Sequence, residues 1–321
     1  MSVRAADAAA SICVPASIGN LGPGLDTLGL AVSLYLRVTV RRRIDDGRGR
    51  LMTHFASRRR RAPDGITAAF RLWPHRVARP PSFEVVVESE IPERAGLGSS
   101  AAATIAGLRL RELCDGPRTT DEILRAALHL EHHPDNAAAG VYGGLTSSTV
   151  APDGRLTVAR WRWPAAWRLV VATPAIQLAT TESRRAIPAT LPTSDVVFNL
   201  QRLALLLHAV SERDPIGLAA AFEDRCHQPY RERLVPVLRH ALALRQPGLL
   251  GVCLSGAGPS LVAFVHGNAA PTTRALAELY ERAGVAYQVR TCTVHRNGGV
   301  TPRATARPGA ARYAGNSSSA R

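Results

Sequence analysis

The segment Pro92-Glu-Arg-Ala-Gly-Leu-Gly-Ser-Ser-Ala-Ala-Ala103 constrains this chain more than any other. Glycine takes backbone angles closed to other residues, and alanine enters a helix at no side-chain cost. The stretch therefore predicts a tight loop opening onto a helix N-terminus at Ser99. Such an end presents unpaired N–H groups and the positive pole of the helix dipole, which suit an anion. Two further glycine turns flank it, Gly19-Asn-Leu-Gly-Pro-Gly-Leu-Asp26 and Leu254-Ser-Gly-Ala-Gly-Pro-Ser260. One such turn usually only reverses the chain; three, with a serine pair starting an alanine-rich helix in the middle one, point to a ligand.

The surrounding pattern is α+β, without βαβ alternation or internal repeat. A strand is expected at Ile12–Val14, followed by a glycine-rich loop from Pro15 to Val32 and a half-buried strand at Leu34–Val40. Residues 45–66 read as a charged excursion and Phe83–Glu88 as the next strand. Helices are expected at Ser99–Leu113 and Thr119–Glu131, the second opened by a capping box of Thr119 with Glu122. Alternation around Asp153-Gly154 predicts a β-hairpin. Beyond it, Arg168–Thr173, Gly251–Leu254, Leu261–Val265 and Ala286–Val294 read as strands, and Asp195–Ser211, Pro215–Arg225 and Pro271–Ala283 as helices. The acid-free tail, residues 301–321, reads as disordered.

Composition excludes several chemistries. Lysine is absent: the 321 residues include 40 arginines, and the formal charge is +15. Without lysine there is no Walker A loop, no Schiff base and no lysine general base. The arginines bunch at 41–43, at 58–61 and in the tail, and are not interleaved with aromatics, so nucleic acid is disfavoured as a partner. Five widely spaced cysteines, with no C-x-x-C pair, indicate neither a disulfide framework nor a zinc site and fit a reducing cytoplasm. No apolar run spans a bilayer, and residues 1–11 lack a signal-peptide pattern, so no membrane partner is expected.

Gly96-Leu-Gly-Ser-Ser-Ala101, preceded by Pro92, resembles the phosphate loop of the GHMP kinases, the superfamily of galactokinase, homoserine kinase, mevalonate kinase and phosphomevalonate kinase. Other blocks follow in that family's order between about residues 12 and 295. They are PASIGNLGPGLDTLGLAVSLYL, EHHPDNAAAGVYGG, TTESRRAIP with FNLQR, HQPYRERLVP and LSGAGPSLVAF, and within the superfamily they resemble the homoserine kinases. The resemblance implies a two-lobed α+β GHMP kinase fold. An N-terminal ribosomal-protein-S5-like α/β lobe over residues 1–165 would bind ATP, and a C-terminal ferredoxin-like α/β lobe would cover 166–300. It also implies ATP-dependent phosphorylation of L-homoserine to O-phospho-L-homoserine with Mg²⁺, a step toward threonine. The alternatives are another small hydroxylated amino or hydroxy acid as acceptor, or a catalytically idle binding protein. Homodimers are common in the family.

The same resemblance assigns residues. Pro92, Glu93, Arg94, Ala95, Gly96, Leu97, Gly98, Ser99, Ser100, Ala101 and Ala102 form the ATP-binding loop, with side chains absent so that backbone can touch phosphate. Ser99 also reads as the helix N-cap. Ser100 and Glu131 are the metal-ligand candidates, since a hard cation takes oxygen ligands. With Asn136 they make up the catalytic set. Asn20, Asp26, Asn136, Thr180, Arg184, Arg231 and Gly256 fall on the substrate side, where a carboxylate calls for arginine and an ammonium for carboxylate or amide oxygens. His132 and His133 are adjacent, so they point to different sides of a helix and make no zinc pair; His133 is expected to order the Pro134-Asp135-Asn136 turn. An amide takes no proton at neutral pH, so an asparagine in the family's base region implies catalysis by positioning and charge stabilisation. Two positions depart from the family pattern: Leu25 replaces a usual phenylalanine, and Gly65 stands in place of an asparagine near the adenine site.

Overall fold

A computed structural model describes residues 10–56, 65–131 and 133–296 and the backbone of Arg303–Ala304. Apolar residues at alternate positions start the first strand, β1 (Ala10–Asn20): Ile12, Val14, Ala16 and Ile18 are all fully buried. A turn with left-handed backbone at Asn20, Leu21 and Gly22 leads into the long β2 (Gly24–Ile44). The Pro15–Val32 stretch is thus an antiparallel hairpin and not a loop. Pro15 sits at a register shift, where a missing N–H is tolerated, and Gly19 pairs with Gly29 across the strands. A Cβ on Gly29 would lie 2.1 Å from the Asp135 carbonyl oxygen, so the glycine lets a helix lie directly on the sheet.

The expected charged excursion contains β3 (Leu51–Phe55) and the start of α1 (Gly65–Phe70); Arg58–Arg61 lie outside the described residues. β3 runs parallel to β4 (Ser82–Ser89), the one parallel pairing among the described strands. α2 (Ser99–Asp115) then buries Ala101, Ala102, Ile105, Ala106 and Leu108. α3 (Thr120–Ala127) carries the expected capping box: the Thr119 hydroxyl accepts from the Glu122 N–H, and the Glu122 carboxylate accepts from the Thr119 N–H. It stops four residues short of Glu131 because the chain tightens there, His129 N–H donating to Ala126 O and Leu130 N–H to Ala127 O. α4 (Pro134–Tyr142), which the sequence pattern missed, begins at once with proline in its first turn.

The expected hairpin follows as β5 (Leu145–Val150) and β6 (Leu156–Trp161), which joins the large sheet through β2 and brings it to six strands. Next come β7 (Trp167–Pro174), α5 (Thr180–Arg185), α6 (Thr193–Glu212) and α7 (Pro215–Ala221). α7 ends before Arg225 because Asp224 accepts the N–H groups of Cys226, His227 and Gln228 and starts α8 (Gln228–Arg231) instead. α9 (Leu238–Leu242), β8 (Leu249–Leu254), β9 (Leu261–His266), α10 (Ala270–Arg282) and β10 (Tyr287–Cys292) close a four-stranded antiparallel sheet, ordered β10-β7-β9-β8. Two residues of the expected disordered tail, β11 (Arg303–Ala304), pair with β1; the remainder lies outside the described residues.

One apolar core runs under the large sheet and on to the inner face of the small one, where Phe222 stacks on Phe264 with ring centres 4.5 Å apart. A second cluster packs α9 and α10 on the small sheet's outer face. The five cysteines are free. Among the described residues no helix is long and apolar enough to cross a membrane.

Candidate active site

The three glycine turns meet at one place. Behind the 92–98 loop, Ser260 N–H donates to Ala95 O at 3.2 Å, the Ser255 hydroxyl to Gly96 O at 2.6 Å, and Ser17 N–H to Leu97 O at 3.2 Å. The first and third turns are joined by Gly256 N–H donating to Gly19 O at 3.0 Å. Ala95, Leu97, Ala101 and Ala102 turn their side chains into the core and leave the loop's backbone at its surface, while Glu93 and Arg94 lead in exposed and Pro92 half-buried.

Two expectations about this loop are revised. Gly98, with φ of 68°, is the N-cap, and Ser99 is the first helical residue. The glycines, moreover, are required on the side facing the protein. A Cβ on Gly98 would stand 2.0 Å from Ser17 Oγ, and one on Gly96 2.2 Å from Ser255 O. Missing side chains therefore let the loop pack onto β1 and the third turn. The anion site itself comes from the helix end: the first intrahelical bond runs from Ala102 N–H to Gly98 O, so the amides of Ser99, Ser100 and Ala101 precede it.

Glu131 lies across from that helix end. Its Oε1 accepts from the Ser100 hydroxyl at 2.7 Å and from the Thr104 hydroxyl at 3.0 Å. The Glu131 carboxylate and the Ser100 hydroxyl, with Thr104 bracing the carboxylate, fit an ion such as Mg²⁺, which takes few protein ligands and completes its shell with water and phosphate oxygens. Thr104 was absent from the sequence-derived set; its place one helical turn after Ser100, on the same face, is the signal that could have found it.

On the other flank the expected substrate-side residues form a connected network. Gly256 O accepts from Asn20 Nδ2 at 2.9 Å and from Arg231 Nη1 at 3.2 Å, while Asn20 Oδ1 accepts from the Asp26 N–H at 3.0 Å. Arg184 Nη2 donates to both Asp26 oxygens, at 2.7 and 2.8 Å. Arg231 is 2 % exposed. Its Nε donates to Ser183 O, its Nη1 also to His227 Nδ1, and Nη2 makes no hydrogen bond among the described residues. Burial, helped by the Arg184 charge, brings its pKa down to about 10, so it stays cationic at neutral pH. Thr180, exposed at the start of α5, shares a helix face with Arg184 but joins none of these bonds.

Asn136 occupies the junction between the two flanks. Its Oδ1 accepts from the Ser17 hydroxyl at 2.9 Å, and its Nδ2 donates to Asp135 Oδ1 at 3.3 Å. Burial pushes Asp135 up to about 6; the Asn136 N–H bond opposes the shift and the Asp26 charge adds to it. His133 stands at the N-cap position of α4 with extended backbone, its side chain makes no capping hydrogen bond, and its Nδ1 is 3.6 Å from Asp26 Oδ1. His132 lies outside the described residues. Sequence reasoning did not assign Ser17, Ser183, His227 or Ser255 to the site. Ser17 is a buried polar residue within β1, Ser255 is a buried polar residue directly after β8, and His227 stands four residues before Arg231, one helical turn away.

Two sheets, with a helix N-terminus held between glycine turns and a carboxylate opposite it, define a kinase of the GHMP type. The family models agree: "GHMP kinases N terminal domain" matches residues 65–144 and "GHMP kinases C terminal" matches residues 206–282. The homoserine kinase of Parasynechococcus marenigrum (strain WH8102) is 37% identical over 296 residues, 89% of this chain and 93% of the relative. That of Solibacter usitatus is 37% identical over 292 residues, covering 89% and 94%. The solved homoserine kinase of Cytophaga hutchinsonii shares the fold with a TM-score of 0.79 at 22% identity, covering 93% of this chain and 98% of that one. The chain belongs to the homoserine kinase family of the GHMP kinases.

Proposed function

We propose that the protein transfers the γ-phosphoryl group of ATP to the side-chain hydroxyl of L-homoserine, yielding O-phospho-L-homoserine and ADP. The observation that carries this reading is a buried, fixed Arg231 with Nη2 uncommitted, in one network with the Asp26–Arg184 pair and beside a helix N-terminus suited to phosphate. A zwitterionic amino acid asks for such a pairing: Arg231 and Arg184 for its carboxylate, Asp26 and Asn20 for its ammonium. Anchored at that end, its hydroxyl reaches toward Asn136, which lies between this network and the loop.

The residues divide the work of phosphoryl transfer. The amides of Ser99, Ser100 and Ala101 receive the phosphates at the positive end of α2. Ser100 and Glu131 would hold Mg²⁺, with Thr104 orienting the carboxylate; bound there, the ion supplies charge neutralisation at the β and γ phosphates. Asn136, fixed by Ser17 and Asp135, orients the acceptor hydroxyl. No side-chain base is assigned. Asp135 Oδ1 accepts from both the backbone and the side-chain amide of Asn136, so this carboxylate serves to hold Asn136 in place. Positioning then carries most of the rate, and the proton leaves to a phosphate oxygen or to water.

A coupled ADP-release assay with ATP and Mg²⁺ across homoserine, threonine, serine and pantoate tests the proposal. Homoserine should give the highest kcat/KM by at least tenfold. Preference for another acceptor, or turnover with none, overturns it.

A further inference from the structure

His227 is fully buried, and both of its ring nitrogens are engaged. Nε2 lies 2.7 Å from Gly22 O, and Nδ1 lies 2.8 Å from Arg231 Nη1. A carbonyl oxygen only accepts and a guanidinium only donates, so the ring is neutral with its proton on Nε2. Burial, which holds its pKa below the ordinary histidine value, favours the same state. Beneath it, Asp224 accepts from the His227 and Gln228 N–H groups and from Asn199 Nδ2, which fixes the backbone that carries the ring.

We infer that His227 is a positioning residue that aims Arg231 at the carboxylate of the acceptor and ties it to the turn carrying Asn20 and Asp26. The inference rests on the reading that Arg231 binds that carboxylate. An arginine side chain has four rotatable bonds, and a buried guanidinium must find acceptors for its donors. Here Nε is held by Ser183 O and Nη1 by His227 Nδ1 and Gly256 O, which leaves Nη2 as the free arm. The contact with His227 is the shortest of the three, and without it Nη1 retains one acceptor, at 3.2 Å. At its other end the ring holds Gly22, whose φ is 76° and whose Cβ position would fall 2.6 Å from Phe222 O. A single imidazole thereby fixes the distance between the arginine and the first glycine turn.

The test compares His227→Leu, His227→Asn, Arg231→Gln and the Leu/Gln double variant, each checked for folding by thermal melting. Asparagine keeps an acceptor near the place of Nδ1 and gives up Gly22; leucine removes both. Arg231→Gln should raise the KM for homoserine at least thirtyfold; no change there overturns the carboxylate reading itself. His227→Leu should raise the homoserine KM at least tenfold with the ATP KM within twofold, and His227→Asn should stay within threefold of wild type. In the Arg231→Gln background, His227→Leu should add less than twofold. If Arg231→Gln behaves as expected while folded His227→Leu leaves the homoserine KM unchanged, or adds its full effect to the double variant, the positioning role is wrong. If only the asparagine variant folds, a tenfold rise in its homoserine KM overturns the inference and a value within threefold supports it.

Discussion

Replacing Gly98 by alanine probes the loop at the position where its packing is tightest. The residue has φ of 68°, and an alanine held there costs about 1–2 kcal/mol. Its methyl would start 2.0 Å from Ser17 Oγ, so the two must separate by roughly 1.5 Å to reach van der Waals contact. That displacement breaks the Ser17–Asn136 hydrogen bond, worth about 1 kcal/mol net. The sum, about 2–3 kcal/mol, corresponds to a fall in Tm of roughly 5 °C for a chain of this size. Activity should suffer more than stability. A shift of about 1 Å in Asn136 or in the amides at the start of α2 costs about 10²-fold in kcat, because alignment supplies most of the rate. Gly284→Ala is the control: its φ is 64°, but no atom lies within 4 Å of the added carbon. It should lower Tm by a smaller amount and leave kcat unchanged. Differential scanning fluorimetry and the coupled assay read the two effects separately. If Gly98→Ala keeps kcat within threefold of wild type and melts like Gly284→Ala, contact with Ser17 does not set the loop.

Further outcomes are expected at the surrounding groups. Glu131→Gln should lower kcat about 10²-fold, and Thr104→Val, which removes a hydrogen bond to that carboxylate, should raise the Mg²⁺ concentration for half-maximal rate about tenfold in a magnesium titration. The raised pKa of Asp135 opposes folding as the group ionises: relative to Asp135→Asn, wild type should lose about 3 kcal/mol as pH rises from about 3.8 to about 6 and no more above that, as urea midpoints would show. A wild-type protein that gains on the variant over that window contradicts the assignment. Arg184→Gln should change stability by less than about 1 kcal/mol, since its pair with Asp26 is half-exposed, yet raise the homoserine KM at least tenfold. Equal KM values would remove Arg184 from the substrate site.

Elements with strong period and clear caps were legible in the sequence. The capping box of Thr119 and Glu122, the Asp153-Gly154 hairpin and the strands of the small sheet all stand where pattern placed them. The Pro15–Val32 hairpin was hidden because its glycines serve packing: Gly29 makes room for α4, a contact made by a segment more than a hundred residues away. α4 itself has only nine residues and a proline start, too short for a periodic signal. For the site, the blocks that resemble the family contain most of the residues that meet in space, but not their state. Sequence cannot show that Arg231 is buried, that Asp135 is desolvated, or that Ser17 reaches Asn136 from a residue 119 positions away.

The three carbonyls tethered behind the glycine loop have a consequence for how a nucleotide is met. In a planar trans peptide, the C=O and the following N–H point in opposite directions. With the oxygens of Ala95, Gly96 and Leu97 each engaged by a donor, the N–H groups of Gly96, Leu97 and Gly98 face away from Ser260, Ser255 and Ser17. None of these peptide planes can flip without breaking a bond to β1 or to the third turn. An oxygen that would repel phosphate is thus barred from swinging outward, and the electrostatic polarity of the bend is set during folding, before any triphosphate arrives.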